Sequence, residues 1–138
     1  MLQRHEKRTI SVLIAEDDPT MRHLMATLLS RRGISCTLVE NGRSALDAWE
    51  EDQFDLILMD VQMPILDGLK ATRMIRERES VRGGHTVIIA MTAHAMATDR
   101  EKCLEAGMDA YVSKPIKFDD LLSLITGYSI STSKNNAE

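Results

Sequence analysis

Cysteine is scarce in these 138 residues, with only Cys36 and Cys103 present. The two form no CxxC pair and have no metal-ligand spacing, which argues against a thiolate metal site and against a disulfide scaffold. Reduced, buried thiols are expected, and a metal bound here has to be a hard cation held by oxygen. Long apolar runs are missing too. The longest stretches, such as Val87-Ile88-Ile89-Ala90-Met91, have strand length, far below the ~20 residues that cross a bilayer. The opening segment, Met1 to Arg8, is polar and lacks the apolar core of a secretory signal. A cytoplasmic location without a membrane partner is therefore expected. Positive charge is in deficit: 17 Lys and Arg against 21 Asp and Glu leave −4. Such a chain has no global attraction for nucleic acid, where affinity comes largely from phosphate neutralisation.

What the chain does contain is an ordinary globular mixture, 43% hydrophobic and 28% charged, long enough for one domain. Short apolar runs alternate with segments of helical period, and no internal repeat is visible. Ser11–Ala15 reads as a strand that stops at Glu16-Asp17-Asp18-Pro19. Asp18 suits an N-cap and Pro19 the first helical position. Met21, Leu24, Met25, Leu28 and Leu29 then recur on one helix face, with Gly33 as a candidate C-cap. Cys36–Val39, Phe54–Met59, Thr86–Met91 and Ala110–Ser113 read as four further strands. Helical segments follow each, the fourth opening on a capping box from Thr98 to Glu101. The polar stretch from Ser129 to Glu138 is expected to fray. Five strands alternating with five helices predict a doubly wound α/β fold around a five-stranded parallel sheet. Ligands of such sheets sit beyond the carboxyl ends of the strands.

That rule singles out five residues. Strand one ends in Glu16 and Asp17, strand three in Asp60, strand four in Thr92 and strand five in Lys114. Each alone reads as a turn or cap residue. All five share one sheet edge, which solvated loops rarely arrange. Two carboxylates ~5 Å apart repel by about 3 kcal/mol at an effective dielectric near 20, and a divalent cation removes the conflict. Oxygen-only ligands suit Mg²⁺. A cation, a lysine and a hydroxyl beside a carboxylate are equipment for phosphoryl transfer, with Asp60 as the natural nucleophile.

These residues resemble the receiver domain of two-component response regulators. The resemblance runs from about Ser11 to Ile125, through Val12–Pro19, Leu58–Gly68, Ala90–Ala93 and Tyr111–Pro115. It implies the flavodoxin-like strand order 2-1-3-4-5, a receiver domain over 10–127, an N-terminal extension over 1–9 and a flexible tail over 128–138. It implies Asp60 as phosphoacceptor and Mg²⁺ held by Glu16, Asp17, Asp60 and the Gln62 backbone carbonyl. Thr92, the Ala93 amide and Lys114 would contact the phosphoryl group, and Lys114-Pro115 would be cis. Tyr111 would couple its rotamer to Thr92 as part of a switch in the face built from helix four, strand five and helix five. Gln62 and His94 occupy the positions that tune the lifetime of the phosphorylated state, and their bulk is expected to slow hydrolysis.

The donor implied is a phosphohistidine on a histidine kinase or a histidine-phosphotransfer domain. About a dozen residues follow Ile125, so a stand-alone receiver or one cut from a larger chain is expected, and Met91–Met96 and Asp99–Met108 look most like receivers attached to hybrid sensor kinases. A monomer or weak dimer is expected, because the last helix offers Asp119 and Asp120 but no arginine. On helix one, Leu24 and Leu28 are expected in the core, while Met21 and Met25 are balanced between core and partner surface. A haloacid-dehalogenase-like phosphatase is a rival, but it needs an Asp-x-Asp at strand one, where Glu16 stands first. A nucleotide or flavin binder is weaker still, because the acidic loop after strand one has no glycine to cradle phosphate. A non-phosphorylated module of receiver shape would be expected to lack a site residue, and none is missing.

Overall fold

The computed structural model describes residues 9–93 and 96–137, with side chains described as far as Tyr128. Strands β1 (Ser11–Ala15), β2 (Ser35–Val39), β3 (Leu56–Asp60), β4 (Val87–Thr92) and β5 (Ala110–Ser113) alternate with five helices. These are α1 (Pro19–Ser30), α2 (Gly42–Glu51), α3 (Gly68–Arg82), α4 (Ala97–Ala106) and α5 (Phe118–Ala137). All strand pairs are parallel, in the order β2-β1-β3-β4-β5, as expected.

The sheet is covered on both faces, and its period-two alternation separates two cores. Leu13, Ala15, Ile57, Met59, Ile88 and Ala90 point to one side, where α2 and α3 bring Leu46, Trp49 and Ile75. Val12, Ile14, Leu56, Leu58, Ile89 and Met91 point to the other, where they meet Met25 and Leu29 of α1 and Leu121 and Ile125 of α5. Every residue of β3 and β4 is buried, whereas no residue of β2, at the sheet edge, is more than half-buried. At the opposite end from the strand termini, buried Glu79 is satisfied by Arg76 and by the Thr86 amide. Arg76 also reaches Asp109 and the Gly107 carbonyl, tying α3 to the start of β5.

Local chemistry accounts for the helix starts. The Asp18 carboxylate accepts from the amides of Thr20 and Met21, and Pro19 follows as the first helical residue. Asn41 accepts from Ser44 and Asp67 from Lys70. The expected cap at Thr98 is not found: α4 starts at Ala97 with Met96 at the cap position and no side-chain bond. Thr98 therefore lies within the first turn, where Asp99 faces the positive end of the helix dipole. Gly33 is not the C-cap of α1 either. That role falls to Arg31, and Gly33 makes the tight turn after it at φ +79°. Leu24, expected in the core, is half exposed, whereas Met25 and Leu29 carry the burial. The reason is phase: the buried stripe of α1 follows the Met25–Leu29 ridge, and Leu24 stands to one side of it. The stretch from Ser129, expected to fray, is helical backbone as far as Ala137. It contains no proline, and nothing in it forbids the helical conformation once α5 is under way.

Register then places the chemistry. Ala15 pairs with Met59 and with Val39, so Glu16 sits level with Asp60. Thr92 pairs with Ser113, so Lys114 follows one step beyond. The loop from β3 to α3 folds back beneath this edge. The Gly68 amide donates to the Val61 carbonyl at 2.9 Å. A Cβ at Gly68 would stand 2.1 Å from the Asp60 carbonyl oxygen and 2.9 Å from Met59 Cγ. The first obstacle is backbone and cannot step aside. Gly68→Ala is therefore expected to destabilise the fold by about 1–3 kcal/mol. A thermal melt should show Tm lowered by roughly 4–12 °C; an unchanged Tm would mean that the loop moves freely.

Candidate functional site

The five residues singled out at the strand ends converge in one cleft of about 540 Å³. Glu16 is fully buried, Asp60 is 4% exposed and Thr92 is 6% exposed. Asp17 faces solvent beside them. One carboxylate oxygen from each of Glu16, Asp17 and Asp60 lies within 4.8 Å of the others. Lys114 Nζ reaches between two of them, 3.0 Å from Glu16 Oε1 and 3.1 Å from Asp60 Oδ2. Asp60 and Thr92 are the last residues of their strands, one step further inside the sheet than the sequence suggested, which accounts for their burial. Gln62 and Ala93 line the same cleft, and the Gln62 amide donates to Asp60 Oδ1 at 3.2 Å. The Lys114–Pro115 peptide is cis. Tyr111 is half-buried on β5, three residues before Lys114. His94 lies outside the described residues.

Two contacts that sequence reasoning missed shape this cleft. Gly68 lets the β3–α3 loop press against the Asp60 peptide. Arg22 Nη1 donates to the Glu16 carbonyl at 2.7 Å, pinning the acidic turn to the first turns of α1. Asp67-Gly68 is legible only as a turn, and no sequence signal says that a lone arginine six residues on will reach back.

The electrostatics follow from burial. Three carboxylates and one ammonium leave an excess of negative charge, and water screens it poorly at buried Glu16 and Asp60. Burial raises the Asp60 carboxyl most, and Glu16 beside it raises it further against the pull of Lys114, to about 7. Burial alone would lower Lys114, but its pairing with Glu16 and Asp60 outweighs this and holds it above the usual ammonium value. Glu16 Oε1 has no hydrogen bond of good geometry despite the nearby ammonium. A hard dication fits this donor set: all ligands are oxygens, one of them buried and under-satisfied.

Comparison with known proteins decides the family. The response regulator receiver domain matches residues 12–126. This chain belongs to that family. The receiver domain is 53% identical over 110 residues to hybrid signal transduction histidine kinase I of Dictyostelium discoideum, covering 76% of this chain and 6% of that protein. It is 43% identical over 119 residues to the sensor histidine kinase GacS of Pseudomonas protegens, covering 86% of this chain and 13% of the kinase. The receiver thus spans a small part of the curated relatives it matches. Among solved structures it is similar to the receiver domain of the sensor histidine kinase PA1611 from Pseudomonas aeruginosa, with a magnesium ion in the active site cleft. The TM-score there is 0.80 and the identity 38%, over 88% of this chain and 98% of that one. It is also similar to a chain in the Saccharomyces cerevisiae co-crystal of the phosphotransfer protein Ypd1 with the Ssk1 receiver domain. The TM-score is 0.85 and the identity 32%, over 90% and 91% of the two chains. The protein is a receiver domain of two-component phosphorelay signal transduction. Among the described residues, no helix is long and apolar enough to cross a membrane.

The sign of the pH dependence in metal-free protein follows from Asp60. Its folded-state pKa is raised above the unfolded value, near 3.9, so its contribution is fully present below the unfolded value and is lost as pH rises through about 7. Metal-free protein is expected to lose stability between about pH 4 and pH 7, and Asp60→Asn should flatten that slope in chemical denaturation. Proton and metal compete for the same oxygens, so Mg²⁺ affinity measured by calorimetry should weaken below pH 7. Affinity that stays constant from pH 8 to pH 5 would contradict the assignment.

Proposed function

We propose that Asp60 accepts a phosphoryl group from a phosphohistidine donor with the help of Mg²⁺, and that the new charge switches the face formed by α4, β5 and α5. One observation carries this reading: Lys114 Nζ stands 3.0 Å from Glu16 and 3.1 Å from Asp60 in a cluster of three carboxylates. Glu16, Asp17, Asp60 and the Gln62 carbonyl would hold the ion. When bound, Mg²⁺ supplies positive charge that lowers the Asp60 pKa and screens the incoming phosphoryl oxygens. The rest belongs to the chain. Burial and the neighbouring Glu16 raise the Asp60 carboxyl and so favour its protonated, poorly nucleophilic form, and relief of the Glu16–Asp60 conflict favours attack.

In the transfer, an Asp60 oxygen forms a bond to phosphorus while the bond from phosphorus to the imidazole nitrogen breaks. The electron pair stays on that nitrogen, and the ring, protonated on its other nitrogen, leaves as neutral imidazole. Lys114, already within hydrogen-bond reach of Asp60, neutralises charge on the transferring group. The Thr92 hydroxyl and Ala93 amide at the end of β4 donate to the other phosphoryl oxygens. The phosphoryl group carries roughly −1.5 to −2 charges where the Asp60 carboxylate carried one, and it places them further out in the cleft. Thr92 is drawn toward it, and Tyr111 moves into the space this leaves. This is a population shift between two arrangements of one fold. Gln62 and His94 would slow hydrolysis by crowding the attacking water.

The donor is a histidine kinase or histidine-phosphotransfer domain, and the module serves as a receiver of a hybrid kinase or as a separate chain. The domain spans 10–127, between an N-terminal extension over 1–9 and a tail over 128–138. The two free cysteines fit a reducing cytoplasm. Neither nucleic acid nor membrane is a direct partner, and the chain acts as a monomer or weak dimer. Incubation with acetyl phosphate and Mg²⁺ should add about 80 Da to the intact mass. The addition should vanish in Asp60→Asn or with excess chelator, and its rate should fall at least tenfold in Lys114→Ala. Full modification of Asp60→Asn would overturn the assignment.

A further inference from the structure

The helix next to the cleft is lightly held. Of the ten residues of α4, only Cys103 and Ala106 are buried, and its N-cap makes no side-chain bond. By contrast α2 buries Leu46 and Trp49, and α3 buries Ile75 and Glu79. Met96 and Leu104, at either end of α4, are mostly exposed. A helix with so little buried surface depends on its few lateral contacts for its position.

One such contact is specific. The guanidinium carbon of Arg100, on α4, lies 5.3 Å from the centroid of the Tyr111 ring, on β5. Tyr111 itself packs against the core that contains Ala90, Cys103 and Met108. It is the register partner of Ala90, two residues before Thr92 on β4, and stands three residues before Lys114 on β5. A cation over the ring face favours the ring position that keeps that face available. If the ring swings toward the cleft, Arg100 loses the contact unless α4 follows.

We propose that Arg100 is a positioning residue that holds Tyr111 and α4 in the resting arrangement, and so sets how readily the cleft takes up a phosphoryl group. This rests on the reading of Asp60 as phosphoacceptor and Tyr111 as the moving ring. Arg100 touches neither the phosphoryl group nor the metal ligands. It acts by weighting one of two arrangements, and its effect is the size of one cation–π contact at an exposed site, about two- to five-fold in the equilibrium.

Full-length protein labelled with 3-fluorotyrosine tests this directly. The chain has two tyrosines, and Tyr128→Phe leaves Tyr111 as the single fluorine reporter. In that background Arg100→Ala should move the Tyr111 resonance, and Arg100→Lys, which keeps the charge, should bring it back toward the parent position. Phosphorylation by acetyl phosphate should be about two- to five-fold faster in Arg100→Ala. Adding Arg100→Ala to Tyr111→Leu should change the rate no further. An unmoved fluorine resonance overturns the proposal, as does an equal acceleration in the Tyr111→Leu background. The resonance is read without phosphoryl chemistry. Failure of the parent protein to be modified at Asp60 would count against the phosphoacceptor reading and leave the fluorine result to decide the Arg100 contact.

Discussion

The arrangement turns on a single ammonium group among carboxylates. Lys114 touches both Glu16 and Asp60, yet one positive charge cannot balance three negative ones. The sheet edge therefore stays anionic and under-satisfied, and its buried members resist ionising together. That imbalance suits the cleft to a hard dication and, on the proposed reading, to a phosphoryl group. A fully neutralised pocket would be stable and inert.

Holding such a site open requires a stiff frame. Parallel strands buried on both faces supply it, since β3 and β4 end in Asp60 and Thr92 without leaving the core. The turn after β1 is restrained from several sides. Asp18 caps α1, the Asp18 amide donates to Glu16 Oε2, and Arg22 takes the Glu16 carbonyl. On the other flank, Gly68 lets the β3–α3 loop lie against the Asp60 backbone. The rigid half of the site is therefore built from β1, β3, α1 and the start of α3. The flank formed by α4 and β5 is looser, with two small buried residues on the helix and a stacked arginine over Tyr111. On the proposed reading this asymmetry has a use, because the phosphoryl group would be held firmly on one side and would move the looser flank on the other.

Sequence and geometry met most closely where a local rule has a one-residue signature. Asp18-Pro19 announced the start of α1, and Asp18 caps it as its chemistry demands. They diverged where the outcome depends on packing. The Thr98 capping box gave way to a start at Ala97, one residue earlier, with Met96 at the cap position and no side-chain bond. Leu24 and Met25 are indistinguishable by period, and only the phase of α1 against the sheet exposes one and buries the other.

From residue order alone came the alternation of strands and helices, the parallel sheet, and the set Glu16, Asp17, Asp60, Thr92 and Lys114 at its carboxyl edge. Periodicity and strand ends are local properties, and parallel pairing brings the ends together without further information. What folding decided was distance and charge state. That Lys114 bridges Glu16 to Asp60, that burial lifts Asp60 to about 7, that Gly68 abuts the Asp60 carbonyl and that Arg100 covers Tyr111 all follow from register and side-chain reach. Those arise between segments far apart in the chain, where no local pattern can carry them.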